Sequence, residues 1–417
     1  MRYFNNLLGV LSLLSSSLAD SLQKTCVDCL MPRSNQYDFL IVGAGLTGSV
    51  LAERLASQLD RRVLVIDRRG HIAGNAHDRL DDHGVMIHQY GPHLFHTNSV
   101  QVWNYLSGFT EWHPYEHRVL AEIDGECVPV PFNLTCLHTL FPPAQATRLE
   151  QLLVYRYGME NKVSILKLRD DTRRANDLSK QDAEDLRWLA DFIYENLFYG
   201  YTTKQWGLTP EELGPSITGR VPVHISWDDR YFQDTYQALP KNGYTAMVRS
   251  LLSHGNIDVE TNVSFLETQS AISFDHLIYT GPIDEYFDHT HGELPYRSLR
   301  FEFEHIEKPY YQSTTQVNFP NTHQYTRITE FKHATGQRTP GTTIAREYPQ
   351  AHVHGENEPY YPIPLDCNYR LYEKYAAEVD KAGMHVTFAG RLADYKYYNM
   401  DQAVGRALAV FRKRFVT

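Results

Sequence analysis

Three glycines supply the strongest chemical signal in the chain. Gly43-Ala44-Gly45-Leu46-Thr47-Gly48 has the spacing G-x-G-x-x-G, and Asp67 follows 19 residues after Gly48. Each position has a physical reason. Gly43 permits a tight turn, Gly45 lets backbone amides approach a pyrophosphate, and Gly48 allows a helix to pack closely on a strand. Leu46 and Thr47 open a helix whose N-terminal amides favour an anion, and Asp67 would accept hydrogen bonds from ribose hydroxyls. The alternative is a purely structural turn, and the flanking elements weigh against it.

Those elements form a βαβ unit. Tyr37 to Val42 is an apolar run too short for a buried helix and predicts a parallel-sheet strand. Leu46, Val50, Leu51, Leu55 and Leu59 recur at the helical period, and Arg62 to Ile66 predicts a second strand ending at Asp67. The next segment, Arg68-Arg69-Gly70-His71-Ile72-Ala73-Gly74-Asn75-Ala76, looks like the second segment by which flavoproteins hold FAD, and NAD enzymes generally lack it. Arg68, Gly74 and Asn75 are its candidate contacts. No second G-x-G-x-x-G with strand context follows, so a separate nicotinamide domain is not expected and an external reductant must serve the flavin.

Composition excludes several classes. At 417 residues the chain exceeds one ordinary core, and two to three domains are expected. Lys plus Arg number 40 against 50 Asp plus Glu, a net charge of −10, the wrong sign for a nucleic-acid or anionic-membrane binder. No apolar run is long enough for a membrane span. The 28 Tyr and 19 Phe suit sugar and nucleotide sites, or equally an aromatic core. Five scattered cysteines argue for reduced thiols, and Cys26-x-x-Cys29 lacks a second pair at zinc spacing, so no metal is expected. Residues 1–36 form a leader: Arg2, an apolar stretch from Leu7 to Leu18 and Ser17-Leu18-Ala19 predict a weak secretory signal, with a disordered extension or another targeting peptide as the alternative.

From Gln101 to Leu213 the pattern is mainly helical, including Ala183 to Tyr199 with Leu186, Leu189, Ala190, Ile193 and Leu197 on one face. A hairpin at Leu120–Ile123 and Cys127–Val130 around Asp124-Gly125 interrupts it. Alternating stretches between Arg297 and Tyr348 predict antiparallel strands, and a strand at His385–Ala389 with a helix from about Asp401 returns to α/β order. The fold class expected is α/β: a Rossmann-like FAD-binding domain (37–100, 236–296 and 360–417), an inserted helical domain (101–213) and an antiparallel sheet domain (214–235 and 297–359).

Longer segments carry a resemblance. Tyr90-Gly91-Pro92-His93-Leu94-Phe95-His96-Thr97-Asn98, Gly200-Tyr201-Thr202-Thr203-Lys204-Gln205-Trp206-Gly207 and Gly390-Arg391-Leu392-Ala393-Asp394-Tyr395-Lys396-Tyr397-Tyr398 resemble the prokaryotic-type UDP-galactopyranose mutases. Matches at Gly219–Val223, Tyr279–Asp284 and Glu358–Pro362 extend the likeness from Tyr37 nearly to the end. The family interconverts UDP-galactopyranose and UDP-galactofuranose, and the resemblance implies that N5 of reduced FAD attacks the anomeric carbon. It implies that Arg220 and Arg327 hold the diphosphate of UDP-galactose, which suits the planar guanidinium. Tyr231, Tyr361 and Tyr395 are the implied phosphate-contacting tyrosines, while Phe198, Tyr201, Thr202 and Trp206 would face uridine and sugar; unaided, the spacing of the aromatics equally fits core packing.

The resemblance also puts His93 and His96 beside the flavin ring, where neutral imidazoles tune it. Their H-x-x-H spacing could suggest a metal pair, but no third ligand is evident. Gly390, Arg391 and Asp401 fall in an implied third FAD segment. Two departures stand out: Ala73 replaces a glycine common in the family, and Pro92 a small residue. The family implies a cytoplasmic enzyme, with the secretory pathway as the leader's alternative and a homo-oligomer left open. The rival functions are an amine-oxidase-like flavin oxidase, which should prefer an apolar aromatic cage, and a catalytically inactive nucleotide-sugar-binding flavoprotein.

Overall fold

The computed structural model describes residues 36–173, 178–213, 215–381 and 385–416. Residues 1–35 of the expected leader, with Cys26-x-x-Cys29, lie outside the described residues, and Gln36, its expected last residue, already begins the first strand. The strand Gln36–Val42 is the centre of a five-stranded parallel sheet, flanked on one side by Val63–Asp67 and Ile257–Thr261 and on the other by Ser273–Tyr279 and Val386–Phe388. The chain therefore leaves this strand in both directions, making a switch point at its carboxyl end, where open α/β sheets bind ligands. Gly43 stands there, and the helix Leu46–Leu59 follows with Val50, Leu51 and Leu55 buried. The C-terminal helix Met400–Arg414 packs on that helix through Val404, Ala407, Leu408 and Phe411.

A second, seven-stranded sheet runs in the order Tyr361–Pro362, Tyr296–Ile306, Thr342–Ala351, Arg327–Glu330, Gln316–Asn318, Val119–Ile123, Glu126–Val130. Its pairings are antiparallel except where Gln316–Asn318 meets Val119–Ile123. This corrects the expected helical unit at 101–213. The hairpin at 119–130, whose Asp124 and Gly125 take φ 52° and 87° as a primed turn requires, is part of this sheet. The helix Val100–Leu106 instead buries Val102 and Leu106 in the core of the parallel sheet. The inward residues of the hairpin, Val119, Ala121, Val128 and Val130, form the floor on which the helices from Leu134 onward pack.

The expected helix at Ala183–Tyr199 is present but not uniform. It is α-helical over Lys180–Ile193, loosens into one π turn at Tyr194–Tyr199 and resumes at Gly200–Trp206. Such a turn shifts the facing of every later side chain, and π turns recur at functional sites. Gly200 fixes the resumed helix in place, since a Cβ there would lie 2.2 Å from Asn321 Oδ1 and 2.6 Å from the Pro320 carbonyl oxygen. Lys204 reinforces the contact by donating to the Phe319 and His323 carbonyls.

Candidate active site

A groove of about 640 Å3 runs over the carboxyl ends of the parallel strands. Gly43, Gly45, Leu46, Thr47, Gly48, Asp67, Arg68, Gly74, Asn75, His93, Gly390 and Arg391 all line it. The glycines do different work. Gly43 takes φ +107°, and a Cβ on it would fall 2.1 Å from Thr280 Oγ1; one on Gly48 would fall 2.0 Å from the Gly43 carbonyl oxygen. Gly45 is free of such contacts: its Cβ would find only Gly74 Cα, at 3.8 Å. The room beside Gly45 belongs to the groove, as a cradle for a close-lying phosphate requires.

Asp67 is more committed than expected, because Oδ2 accepts the Ala44 amide and Oδ1 the Arg69 amide, both at 2.9 Å. A carboxylate oxygen has a second lone pair, so capacity for a ribose hydroxyl remains. Arg68 is tied to Glu358 at 2.9 Å at the rim. Asp401 departs from expectation: it does not line the groove, and its Oδ2 accepts from Thr97 Oγ1 at 3.0 Å. It sits one residue into the C-terminal helix and is turned toward the strand Phe95–Thr97, while Asn399, Met400 and Ala403 face the groove.

The groove opens into a junction of about 180 Å3, with Asn75, His93, Tyr360, Arg391, Asn399 and Met400 lining both. Burial pushes the His93 imidazole down to about 3, so it is neutral at ordinary pH. Its Nδ1 lies 2.9 Å from the Gly91 carbonyl oxygen, which fixes the tautomer with the proton on Nδ1. His96 also lines the junction, but its ring stacks on Phe232 at 3.6 Å and its Nδ1 meets Asp234 at 2.7 Å. The two histidines thus have separate partners, and among the described residues no cluster of metal ligands is present.

Beyond the junction lies an aromatic slot of about 190 Å3 lined by Phe198, Tyr201, Thr202, Trp206, Arg220, Tyr231, Arg327 and Tyr361, with Gln205, Asn318 and Tyr397. Arg327, Tyr231, Tyr361 and Tyr397 line both spaces. Burial pushes the Tyr231 and Tyr361 hydroxyls up, keeping them neutral donors. Arg327 donates through Nη2 to Glu347 Oε1 at 2.6 Å in a largely buried pair, and its Nε and Glu347 Oε2 have no protein partner among the described residues. Arg220 differs in being exposed; its guanidinium rests 3.9 Å above the Tyr397 ring and donates to Asn399 Oδ1 at 2.7 Å.

Tyr395 is a correction. Its ring is fully buried, and its hydroxyl donates to the Pro295 carbonyl oxygen at 2.6 Å, outside both the slot and the junction. Tyr397, two residues on, takes the expected place. The chain turns at Tyr395, which has φ +46°, so the face presented by each tyrosine of this segment depends on a local turn. Glu347 is an addition to the expected set; it stands opposite Arg327 in the register of the paired strands.

A Rossmann-type groove leading through a polar junction to an aromatic, arginine-bearing slot places the chain among proteins of the dinucleotide-binding fold. Known proteins specify the class. Residues 41–109 match the NAD(P)-binding Rossmann-like domain family and residues 196–397 the UDP-galactopyranose mutase family. A probable UDP-galactopyranose mutase of Klebsiella pneumoniae is 37% identical over 380 residues, covering 90% of this chain and 94% of that protein. A dTDP-fucopyranose mutase of Escherichia coli is 32% identical, covering 88% and 96%. The chain belongs to the UDP-galactopyranose mutase family of flavoprotein isomerases. Among solved structures, a reduced UDP-galactopyranose mutase shares the fold with a TM-score of 0.69 at 16% identity, over 91% of this chain and 94% of that one. A putrescine oxidase variant also shares it, with a TM-score of 0.54 at 10% identity over 92% and 99%. Fold alone therefore does not separate isomerase from oxidase; sequence kinship does.

Proposed function

We propose that the protein interconverts UDP-galactopyranose and UDP-galactofuranose using FAD in its reduced form. The observation that carries this reading is Arg327: a largely buried guanidinium whose Nε is buried with no protein partner among the described residues, standing where the junction meets the aromatic slot. A buried cation with a free donor suits a phosphate oxygen, and an oxidase acting on an apolar amine would have no use for it.

The groove fits FAD, since Gly45 and Gly74 give a backbone-walled space for pyrophosphate and Asp67 retains acceptor capacity for ribose. Gly43, Leu46, Thr47, Gly48, Arg68, Asn75, His93, Gly390 and Arg391 would complete the holding set. When bound and reduced, flavin supplies a nucleophile for the anomeric carbon. The chain's own residues then bind, orient and neutralise charge. Arg327 and Arg220 hold the diphosphate and offset the charge that develops as it leaves, while Tyr231, Tyr361 and Tyr397 wall off water and offer hydroxyl donors. Neutral His93, its Nδ1 proton given to Gly91, presents an unprotonated Nε2 at the junction.

Isomerisation leaves substrate and product at one oxidation level, so no net electrons are consumed. The test is product analysis after dithionite-reduced protein is incubated anaerobically with UDP-galactofuranose, with dTDP-fucofuranose in parallel because of the Escherichia coli relative. UDP-galactopyranose should form over many turnovers from one reduction, and oxidised protein should be inactive. Product from oxidised protein, or reductant consumed in proportion to product, would overturn the reading. Reducing equivalents would come from an external donor. A cytoplasmic location, where its nucleotide-sugar substrate would be met, belongs to the same proposal.

A further inference from the structure

Behind the junction, lining neither it nor the slot, lies a histidine that none of the foregoing chemistry uses. His88 ends the short strand Met86–His88, stands opposite Asp78 in a two-stranded ribbon and is 1% exposed. Tyr244 meets its ring edge-on at 5.7 Å, and Phe331 packs at 5.4 Å. Its Nδ1 accepts the backbone N–H of His93 at 3.0 Å. A nitrogen that accepts carries no proton, so the neutral ring bears its proton on Nε2. Burial lowers the basicity of His88 and keeps it in that form, against the opposing pull of Asp78. Nε2 has no protein partner among the described residues, and His88 lines a rear cavity of about 370 Å3 with Asp78, His113, Tyr244 and Gln337, roomy and polar enough for ordered water.

The loop this bond anchors has few other holds. Pro92 has no N–H, and the His93 ring is bonded within the loop to Gly91. Gly91 takes φ +86° with its α-carbon against the Phe301 ring, where a Cβ would come within 2.8 Å. Tyr90 holds the start of the loop, its hydroxyl 2.7 Å from His71 Nε2, and the His93 amide pins its far end to the framework behind it. We infer that His88 is a positioning residue for the reaction, its Nδ1 fixing the backbone of His93 where the cofactor groove meets the sugar end of the substrate site. The inference rests on the isomerase reading for its kinetic consequence but not for its spectroscopic one. Arg220 lines the slot and not the junction, and Arg327, which reaches the junction as well, is carried by a different sheet from His88, so loss of this bond leaves both arginines on their own supports and is felt first in the geometry of the reacting end.

The test compares FAD-loaded enzyme carrying His88→Asn, His88→Gln or His88→Phe. Asn places Oδ1 close to the position of Nδ1 and keeps the acceptor; Gln carries its carbonyl one bond farther out, and Phe has none. Loss of positioning should lower kcat on UDP-galactofuranose about tenfold in His88→Phe and His88→Gln, because misplacement by a fraction of an ångström at reacting atoms is felt in the chemical step. KM should stay within about twofold, the flavin absorption band should shift, and His88→Asn should recover most of both. If His88→Phe does not fold, the Asn and Gln pair decides alone. A folded His88→Gln enzyme with wild-type kcat and an unshifted flavin band overturns the inference, as does a His88→Asn no better than His88→Gln. Should wild-type protein leave UDP-galactofuranose unchanged, the isomerase reading falls, and the band shift in His88→Gln with its reversal in His88→Asn still decides the role of His88.

Discussion

The groove over the parallel sheet and the aromatic slot are built by opposite means. In the groove the decisive feature is what side chains are missing: Gly43 and Gly48 let the turn close, and Gly45 leaves its room to a ligand. In the slot the decisive feature is what side chains are present, with Arg220, Tyr231, Arg327, Tyr361 and Tyr397 brought from five segments to one space. A backbone cradle responds to substitution all or none, because the intruding atom occupies the ligand's place. A side-chain grip responds by degrees, because each donor is one of several.

Replacing Gly45 with Val should produce the largest effect. Its Cβ meets no protein atom closer than 3.8 Å, so the fold should survive while the branched carbons take the space of a phosphate. The expected protein is folded, colourless and inactive, as absorbance and circular dichroism would report. Gly48→Val is the control for steric damage to the fold itself, since its Cβ would lie 2.0 Å from a carbonyl oxygen, and it should not yield folded protein. Full flavin occupancy in Gly45→Val would place the pyrophosphate elsewhere.

Arg327→Ala comes next and tests the graded behaviour of the slot. Removing a charge-assisted phosphate contact should lower kcat/KM by about 10- to 150-fold, from roughly 1.5 to 3 kcal/mol, with flavin retained. It also strands Glu347, whose carboxylate is buried against Arg327, and so should destabilise the fold. Adding Glu347→Gln to Arg327→Ala should restore much of the stability in urea and none of the activity. Arg220→Ala should show a similar kinetic loss with no change in urea midpoint, because Arg220 is exposed and leaves no buried charge behind. A destabilised Arg220→Ala or a fully active Arg327→Ala would erase the distinction between the two arginines.

The same contrast explains how far each region is legible in the amino-acid sequence. The groove is written locally: G-x-G-x-x-G, the flanking strands and Asp67 fall within a short stretch, and turn, helix and strand periods all point one way. The slot is written across the chain. Arg327 and Tyr361 carry no local sign of a common space, and only likeness to a family of known chemistry joins them. Glu347 has no signal in its spacing, since its place opposite Arg327 is set by the pairing of two strands with a helical turn and a loop between them. Asp124-Gly125 announces a hairpin but not which sheet it joins, so a helical unit bounded by periodicity alone comes out too wide. Tyr395 and Tyr397 are indistinguishable by residue type, and a positive φ inside the segment decides which of them faces the slot.

That ambiguity gives a smaller test. Tyr397 lies under the Arg220 guanidinium and lines the slot, so Tyr397→Ala should reduce kcat/KM by about 5- to 30-fold, the equivalent of roughly 1 to 2 kcal/mol of lost cation–π and packing interaction. Tyr395→Phe removes a buried hydroxyl that donates to Pro295, which should lower stability by about 1 kcal/mol and leave kinetics alone. Kinetic loss in Tyr395→Phe with wild-type behaviour in Tyr397→Ala would return the substrate role to Tyr395.

The smallest expected effect is at Ala73, where the groove keeps a side chain at a position that glycine commonly fills in the family. Ala73 has φ +74° and ψ 0°, is buried, and donates its amide to the Ala44 carbonyl oxygen at 2.9 Å, so its left-handed conformation is held by the turn it serves. An L-residue there carries about 1 to 2 kcal/mol of strain, which Ala73→Gly would relieve. Against that stand the greater freedom of glycine in the unfolded chain, about 0.4 to 1 kcal/mol, and the lost contact of one methyl group, about 0.8 kcal/mol. The terms nearly cancel, so Ala73→Gly should move the folding free energy by less than about 1 kcal/mol in either direction and leave flavin content unchanged. Gly43→Ala, also at positive φ, should behave differently because its methyl would fall 2.1 Å from Thr280 Oγ1. Equal tolerance at the two positions in thermal unfolding would show that conformational strain, and not what the Cβ meets, governs the groove.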